Sequence, residues 1–378
     1  MNLVDRKDIP SPCYVMIEER LEQNLKLMAH VQKAAGVKII LALKGFSMWS
    51  TFDLVKQYLH GATASSVWEA QLARGEMGGE VHAYSPAYKT ADIKVLSTLV
   101  DHLSFNSIAQ WHQHRDVLTS AGVSLGLRVN PENQEAETPL YDPCAPGSRL
   151  GIRADELRHV DLTGIDGFHV HNLCECDSFA TERTLKAIDA KFAAWLPQLK
   201  WLNLGGGHLM TREGYNVEHL IAALREFKAK YPHLEIIMEP GSAVAWDTGP
   251  LIAEVVDIVE NEGKIAILDI SVTAHMPDVL EMPYRPRILG AGMPGDKPHE
   301  YRIGGNSCLA GDVIDVFSFD QPLQTGDRIQ FEDMMHYTMV KTTFFNGVEH
   351  PAIAILRKDG ALDIVRQFGY EDFRSRLS

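Results

Sequence analysis

Cysteine is scarce in this chain of 378 residues, which has five, at positions 13, 144, 174, 176 and 308. The count is odd and the spacing forms no framework. That excludes a disulfide-stapled secreted module and fits reduced thiols in a cytosol. No apolar run approaches membrane-spanning length. The opening MNLVDRKDIPSPCYV carries charges where a secretory leader has an apolar segment. The expectation is therefore a cytoplasmic protein with no membrane partner. Positive charge is also short: 36 Lys and Arg against 50 Asp and Glu give a net charge of -14. This argues against a nucleic-acid partner and mildly favours cationic small molecules.

What is present is an ordinary globular composition, 45% hydrophobic and 23% charged. The length exceeds one compact core, which points to a large domain with a smaller one. Short apolar runs recur at 37–43, 61–65, 80–85, 102–106, 123–130, 164–172, 201–207 and 235–241, with helical patterns between most of them. Such runs alternating with helices mark parallel βαβ units, and eight of them close a (β/α)8 TIM barrel. Beyond about residue 266 the pattern changes to KIAILDISV, VIDVFSF, DRIQFEDM, YTMVKTTFF and AIAILRKDG, separated by turns. With no crossover helices, these predict an antiparallel β domain. The Pro-rich segment 131–150 is a long polar loop between two barrel strands, a length usually reserved for function.

Barrel sites form where strands end, at the C-terminal rim. Those positions hold Lys44 after the first strand, His169 and His171 on the sixth, Gly205-Gly206-Gly207 after the seventh and Glu239 after the eighth. Three glycines expose consecutive N–H groups, a nest for an anion such as phosphate. Burial disfavours an ammonium at Lys44 and leaves an amine that attacks aldehydes. A phosphate and an aldehyde together imply pyridoxal 5′-phosphate, with Glu239 at the ring nitrogen and His169 on the ring face. A rival reading takes HVHNLCEC (169–176) as a metal site, since residues two apart in a strand share a face. In barrel hydrolases, however, such a histidine pair belongs to the first strand, and Cys174-x-Cys176 lacks the usual zinc spacer. We therefore expect no metal.

In this setting ALKGF, GFHVHN, LGGGH, EPG, SCLAGD (307–312) and YTMVKTTFFNG (337–347) resemble, in order, the segments of the fold-type III pyridoxal-phosphate-dependent decarboxylases. That group includes the ornithine and diaminopimelate enzymes. LALKGFSMWSTF, HNLCE, HMPDVLEMPYRP and SCLAGDV resemble most the branch acting on carboxylated polyamines. Two departures from the wider group stand out: Ser242 replaces the arginine after EPG, and Leu309 replaces the acid after the cysteine.

The resemblance implies an α/β fold with an alanine-racemase-like barrel over 17–243 and a C-terminal antiparallel β domain that also takes residues 1–16, the two together covering 1–16 and 244–378. It implies decarboxylation of carboxynorspermidine or carboxyspermidine by a homodimer with shared active sites. Lys44 would hold the cofactor covalently, and Cys308 of the partner subunit would protonate the product carbon. His169, Glu239, Asn172, Gly205, Gly206, Gly207 and Tyr337 would contact the cofactor. Glu175, Asp278 and Asp312 would meet the distal amines.

Overall fold

The computed structural model describes residues 1–136 and 139–378. It divides into two compact units, Glu22–Val244 and a second made of Met1–Leu21 with Ala245–Ser378.

In Glu22–Val244 the apolar runs form the expected parallel sheet. The first strand is in two pieces, Lys38–Ile39 and Leu41–Ala42. The first piece pairs with Glu235–Met238 and the second with Gly61–Ala64. From there the sheet runs through Glu80–Tyr84, His102–Phe105, Ser124–Asn130, Gly167–His169 and Trp201–Asn203 to Glu235–Met238, every pairing parallel. The sheet thus returns to the stretch on which it began. The strand-to-helix turns are set by capping side chains: Ser66 accepts the Glu69 N–H, and Ser107 accepts that of Gln110. Helix Ser178–Phe192 is capped by Asp177, and helix Val217–Lys230 by Asn216.

The N-terminal ends of the strands are sealed. A Cβ on Gly126 or Gly167 would lie 2.2 or 2.0 Å from the Trp201 ring, so only glycine admits that indole. Its Nε1 donates to Ser124 Oγ at 2.9 Å. Nearby in sequence register, Lys38 Nζ sits 2.5 Å from Glu80 and 2.9 Å from Glu235. Polar chemistry at this end ties strands together, which leaves the opposite rim for a site.

The other unit carries an eight-stranded sheet. Its order is Val313–Phe319, His299–Gly304, Lys264–Leu268, Leu251–Glu260, Cys13–Ile17, Ala352–Leu356 and Leu362–Arg366, with Arg328–Phe331 also on Leu251–Glu260. The expectation of a purely antiparallel domain is corrected here, because the sheet is mixed. Cys13–Ile17 runs parallel to Ala352–Leu356, and Lys264–Leu268 runs parallel to His299–Gly304. A parallel pair needs a crossover of a dozen residues or more. The segment 269–298 supplies it, with the short helices Val272–His275 and Pro277–Glu281. Cys13, Val15 and Ile17 alternate onto one face with Ile252, Ala354 and Leu356 in a buried cluster. YTMVKTTFF is not a strand: Tyr337–Val340 is a helical turn, pinned by Thr338 Oγ1 donating to Asp278 Oδ2 at 2.8 Å. That buried hydrogen bond overrides the β-branched pattern. No helix among the described residues is long and apolar enough to cross a membrane.

Candidate active site

The first strand delivers Lys44 into a turn in which the Gly45 and Phe46 N–H groups donate to the Ala42 carbonyl, at 3.0 and 3.2 Å. Gly45 is required there. A Cβ would stand 2.7 Å from Gly241 Cα and 2.9 Å from Ser242 N, which are backbone atoms that cannot give way. The two glycines let the lysine loop lie against the Glu239-Pro240-Gly241 loop, and Ala42 N–H donates to Pro240 O at 3.1 Å.

Glu239 is 6% exposed. Its Oε1 accepts from Asn203 Nδ2 at 2.6 Å, and its Oε2 lies 3.5 Å from His169 Nε2. Asn203 Oδ1 in turn accepts the Gly205 N–H at 2.8 Å. Burial pushes His169 down to about 4 against the opposing pull of Glu239, so the imidazole is neutral near neutral pH. The Tyr84 ring meets His169 edge-on at 5.1 Å. Arg128 stacks over Tyr84 at 4.5 Å and donates from Nη2 to the His171 carbonyl at 2.8 Å.

Lys44 Nζ lies 3.1 Å from His171 Nε2. Burial lowers the lysine pKa, Arg128 lowers it further, and Glu239 opposes both. The amine reading of Lys44 thus has a physical cause in the fold. The glycine triplet differs from the simple nest read from the sequence. Gly205 donates to Asn203, and Gly206 donates to His171 Nδ1 at 2.8 Å, so two of the three amides are engaged by side chains. Gly205 and Gly207 stand at φ +65° and +89°, where glycine is favoured. Their missing Cβ atoms would strike His171 and Leu173.

The metal reading of 169–176 finds no support in this geometry. His169 faces Glu239, His171 faces Lys44, and Cys176 Sγ donates to the Cys174 carbonyl at 3.3 Å. Among the described residues, the grouping with metal-ligand proximity is Glu80, His82 and His102, at the sealed end of the strands. There the Lys38 ammonium already meets Glu80, and the two imidazoles stack face to face at 4.1 Å.

Other expected residues fall into separate environments. Asn172 is fully buried, and its Nδ2 donates to Asn133 O and Thr184 Oγ1, which ties the long loop to helix Ser178–Phe192. Glu175 is exposed, with φ +52°. In the sheet unit Cys308 is exposed, and its N–H donates to Asn346 Oδ1 at 2.7 Å. Asp312 is buried and accepts from Ser271 Oγ, Thr273 N and Ser307 N. Asp278 accepts from Tyr284 and Thr338 through Oδ2, while its buried Oδ1 has no hydrogen-bond partner among the described residues. Tyr337 is half-buried beside Thr338.

Sequence reasoning did not single out Asn203, Arg128 or Asn346, and it offered His171 no partner beyond the metal reading that it placed second. The alternation His169-x-His171 was a usable signal for a second side chain at the rim. Asn203 and Arg128 carried none beyond lying on barrel strands.

The donor set suits a pyridoxal group: a primary amine for an aldehyde, a carboxylate for a ring nitrogen, and a glycine loop that no Cβ could share. Comparisons with known proteins agree. The family model described as the pyridoxal-dependent decarboxylase C-terminal sheet domain matches residues 13–335. A carboxyaminopropylagmatine decarboxylase of Synechocystis is 53% identical over 98% of this chain and 96% of its own length. A carboxynorspermidine/carboxyspermidine decarboxylase of Campylobacter jejuni is 44% identical over 97% and 98%. A crystal structure of carboxynorspermidine decarboxylase from Campylobacter jejuni, complexed with norspermidine, superimposes with a TM-score of 0.91 at 42% identity, covering 97% of this chain and all of that one. With a rim built around a buried amine and matches that run the length of the chain, the protein belongs to the pyridoxal-dependent decarboxylase family.

Proposed function

We propose that this chain is a pyridoxal 5′-phosphate-dependent carboxy-lyase that removes the α-carboxylate of a carboxylated polyamine, carboxynorspermidine or carboxyspermidine, to give norspermidine or spermidine. The observation that carries the reading is the Lys44 side chain at the strand-end rim, 3.1 Å from His171 and on the rim that pairs His169 with Glu239. The full-length similarity to carboxylated-polyamine decarboxylases supports the substrate class.

When bound, pyridoxal phosphate supplies an electron-poor ring that accepts the electron pair left by the departing carboxylate. The protein does the rest. Lys44 Nζ would provide the nucleophile for the aldehyde, and its two N–H protons would leave with the carbonyl oxygen as water. Glu239, fixed by Asn203, presents a carboxylate where a ring N–H would be held. His169, neutral and braced by Tyr84, offers a flat apolar face. We assign Gly205, Gly206 and Gly207 to the phosphate, with Tyr337 and Asn172 as the further cofactor contacts that the family resemblance suggests.

The carbon that loses carbon dioxide needs a proton, and the Cys308 thiol of the partner subunit is the donor we assign. That role requires a homodimer, which we propose as the working cytoplasmic form. Glu175 and Asp278 are the acids we assign to the distal amines, since an unpaired ammonium in a closed site is costly. The Asp312 oxygens already accept from Ser271, Thr273 and Ser307.

The 53% identity to the Synechocystis enzyme favours a second substrate of the same class, carboxyaminopropylagmatine, in which a guanidine replaces the terminal amine. Carbon dioxide release from the purified protein with pyridoxal phosphate decides among these. Turnover is expected with one or more of the three carboxylated polyamines and not with meso-diaminopimelate or ornithine. Turnover of either of those two, with silence on the polyamines, overturns the reading.

A further inference from the structure

Two histidines close the stretch His169-Val170-His171, and only the first has a place in the reading above. His171 lies between the glycine loop and Lys44. Its Nδ1 accepts the Gly206 N–H at 2.8 Å, and its Nε2 is 3.1 Å from Lys44 Nζ. A backbone N–H can only donate, so in the neutral ring Nδ1 holds the lone pair and the proton sits on Nε2. An Nε2–H aimed at Nζ needs a lone pair on that nitrogen, which an amine has and an ammonium lacks.

The ring has little freedom to do otherwise. A Cβ on Gly205 would stand 2.6 Å from His171 Cβ and 2.7 Å from its Nδ1, so the imidazole is packed directly on the glycine loop. Arg128 holds the His171 carbonyl from the other side. The glycines at 205 and 206 therefore serve this imidazole as well as any anion.

We propose that His171 is a positioning residue for Lys44: its Nε2–H donates to Nζ and holds the lysine as an uncharged amine, whose lone pair turns from His171 to an aldehyde when one arrives. The inference rests on the reading of Lys44 as the reactive amine. The charge environment is compatible with it. Lys44 is faced by Arg128, Glu239, Cys174 and Glu69, and His171 by Lys44, Arg128, His169 and His208. Burial, the largest influence on both, favours their uncharged forms, and it holds His171 well below the usual imidazole range. Hydrogen bonding to the neutral form of an amine lowers its pKa, so losing that bond must raise it.

The test is competitive labelling of the full chain, freed of cofactor, with trace acetic anhydride across the pH range. Lys44 and the exposed lysines are then followed by peptide mass spectrometry. In the wild type, Lys44 is expected to label at lower pH than the exposed lysines. His171→Phe keeps the ring and the burial but removes the donor. At about pH 8 its Lys44 labelling should fall roughly five- to tenfold, a tenfold loss being one pKa unit. His171→Gln, whose amide can donate, should restore most of it.

A Lys44 profile unmoved in His171→Phe, or no better in His171→Gln, overturns the proposal. If either variant fails to fold, ¹⁵N–¹H correlation of the wild-type histidines decides instead: a His171 proton found on Nδ1 overturns it, and one on Nε2 sustains it. The reading of Lys44 fails separately. Borohydride fixation of pyridoxal phosphate onto a different lysine would remove that reading, whatever the His171 variants do.

Discussion

Asn203 Nδ2 donates to Glu239 Oε1 at 2.6 Å while Asn203 Oδ1 accepts the Gly205 N–H. One side chain on the seventh strand thus fixes both the carboxylate and the start of the glycine loop. Asn203→Ala leaves a buried acceptor and a buried donor without partners, and should lower stability by about 1–3 kcal/mol. At saturating cofactor it should lower kcat more than it raises KM, because Glu239 loses its fixed orientation. Asn203→Asp should be worse, since it sets a second carboxylate against Glu239. Thermal unfolding and steady-state kinetics check both.

Gly45→Ala tests the backbone contact with Gly241. The new Cβ meets main chain, which cannot rotate away, and overpacking of this kind costs about 1–3 kcal/mol. Displacement of the lysine loop should also weaken cofactor binding. A denaturant midpoint and a fluorescence titration with pyridoxal phosphate should move together. No change in either would mean that the loops separate without consequence.

Stability should fall as the solution is acidified, and the buried histidines give the sign. His208, pushed down to about 4 by burial from an ordinary value of 6.5, binds its proton more readily in the unfolded chain. Between those two values the unfolded state holds the extra proton, so stability is lost as pH falls through that window. For His208 the full loss is about 3 kcal/mol, reached near pH 4. His169, also held at about 4, contributes in the same direction. His208→Gln should flatten the slope of unfolding free energy against pH in urea titrations. An unchanged slope would contradict the burial argument.

Cys308 and Asp312 share one loop and should respond differently. Cys308→Ala alters an exposed side chain, so the melting temperature should hold while turnover falls by about a hundredfold or more, the range for a lost general acid. Asp312→Ala strips an acceptor from Ser271 Oγ, Thr273 N and Ser307 N together, and should destabilise the sheet unit by about 1–3 kcal/mol. A raised KM for the polyamine with an unchanged melting temperature would instead return Asp312 to the substrate.

The barrel was legible because its strands are short apolar runs followed by turn residues or by caps such as Ser66 and Ser107, and periodicity reports both. Lys44, His169 and Glu239 were legible because strand ends in a barrel converge on one rim. The mixed sheet was not, since parallel pairing depends on where a crossover lands, and 269–298 carries no strong helical pattern. YTMV reads as a strand by local composition, and only the buried bond from Thr338 to Asp278 makes it a turn. Asn203 and Arg128 are polar residues inside strands, a pattern that alone does not distinguish a brace from a catalytic group. His171 was seen, but its partner is 127 residues away along the chain, a distance that local pattern does not span.

The strand Cys13–Ile17 lies inside its sheet, hydrogen-bonded to Leu251–Glu260 on one side and to Ala352–Leu356 on the other. It leaves the ribosome long before Ala352–Leu356, the neighbour it must wait for. Until residue 356 has emerged, at least one of its edges is open and able to pair with another nascent chain. The barrel sheet faces a shorter delay, since Lys38–Ile39 waits only for Glu235–Met238. During synthesis the strand therefore stays incompletely paired until Ala352–Leu356 follows. Slow translation between the two should lower the yield of folded chain.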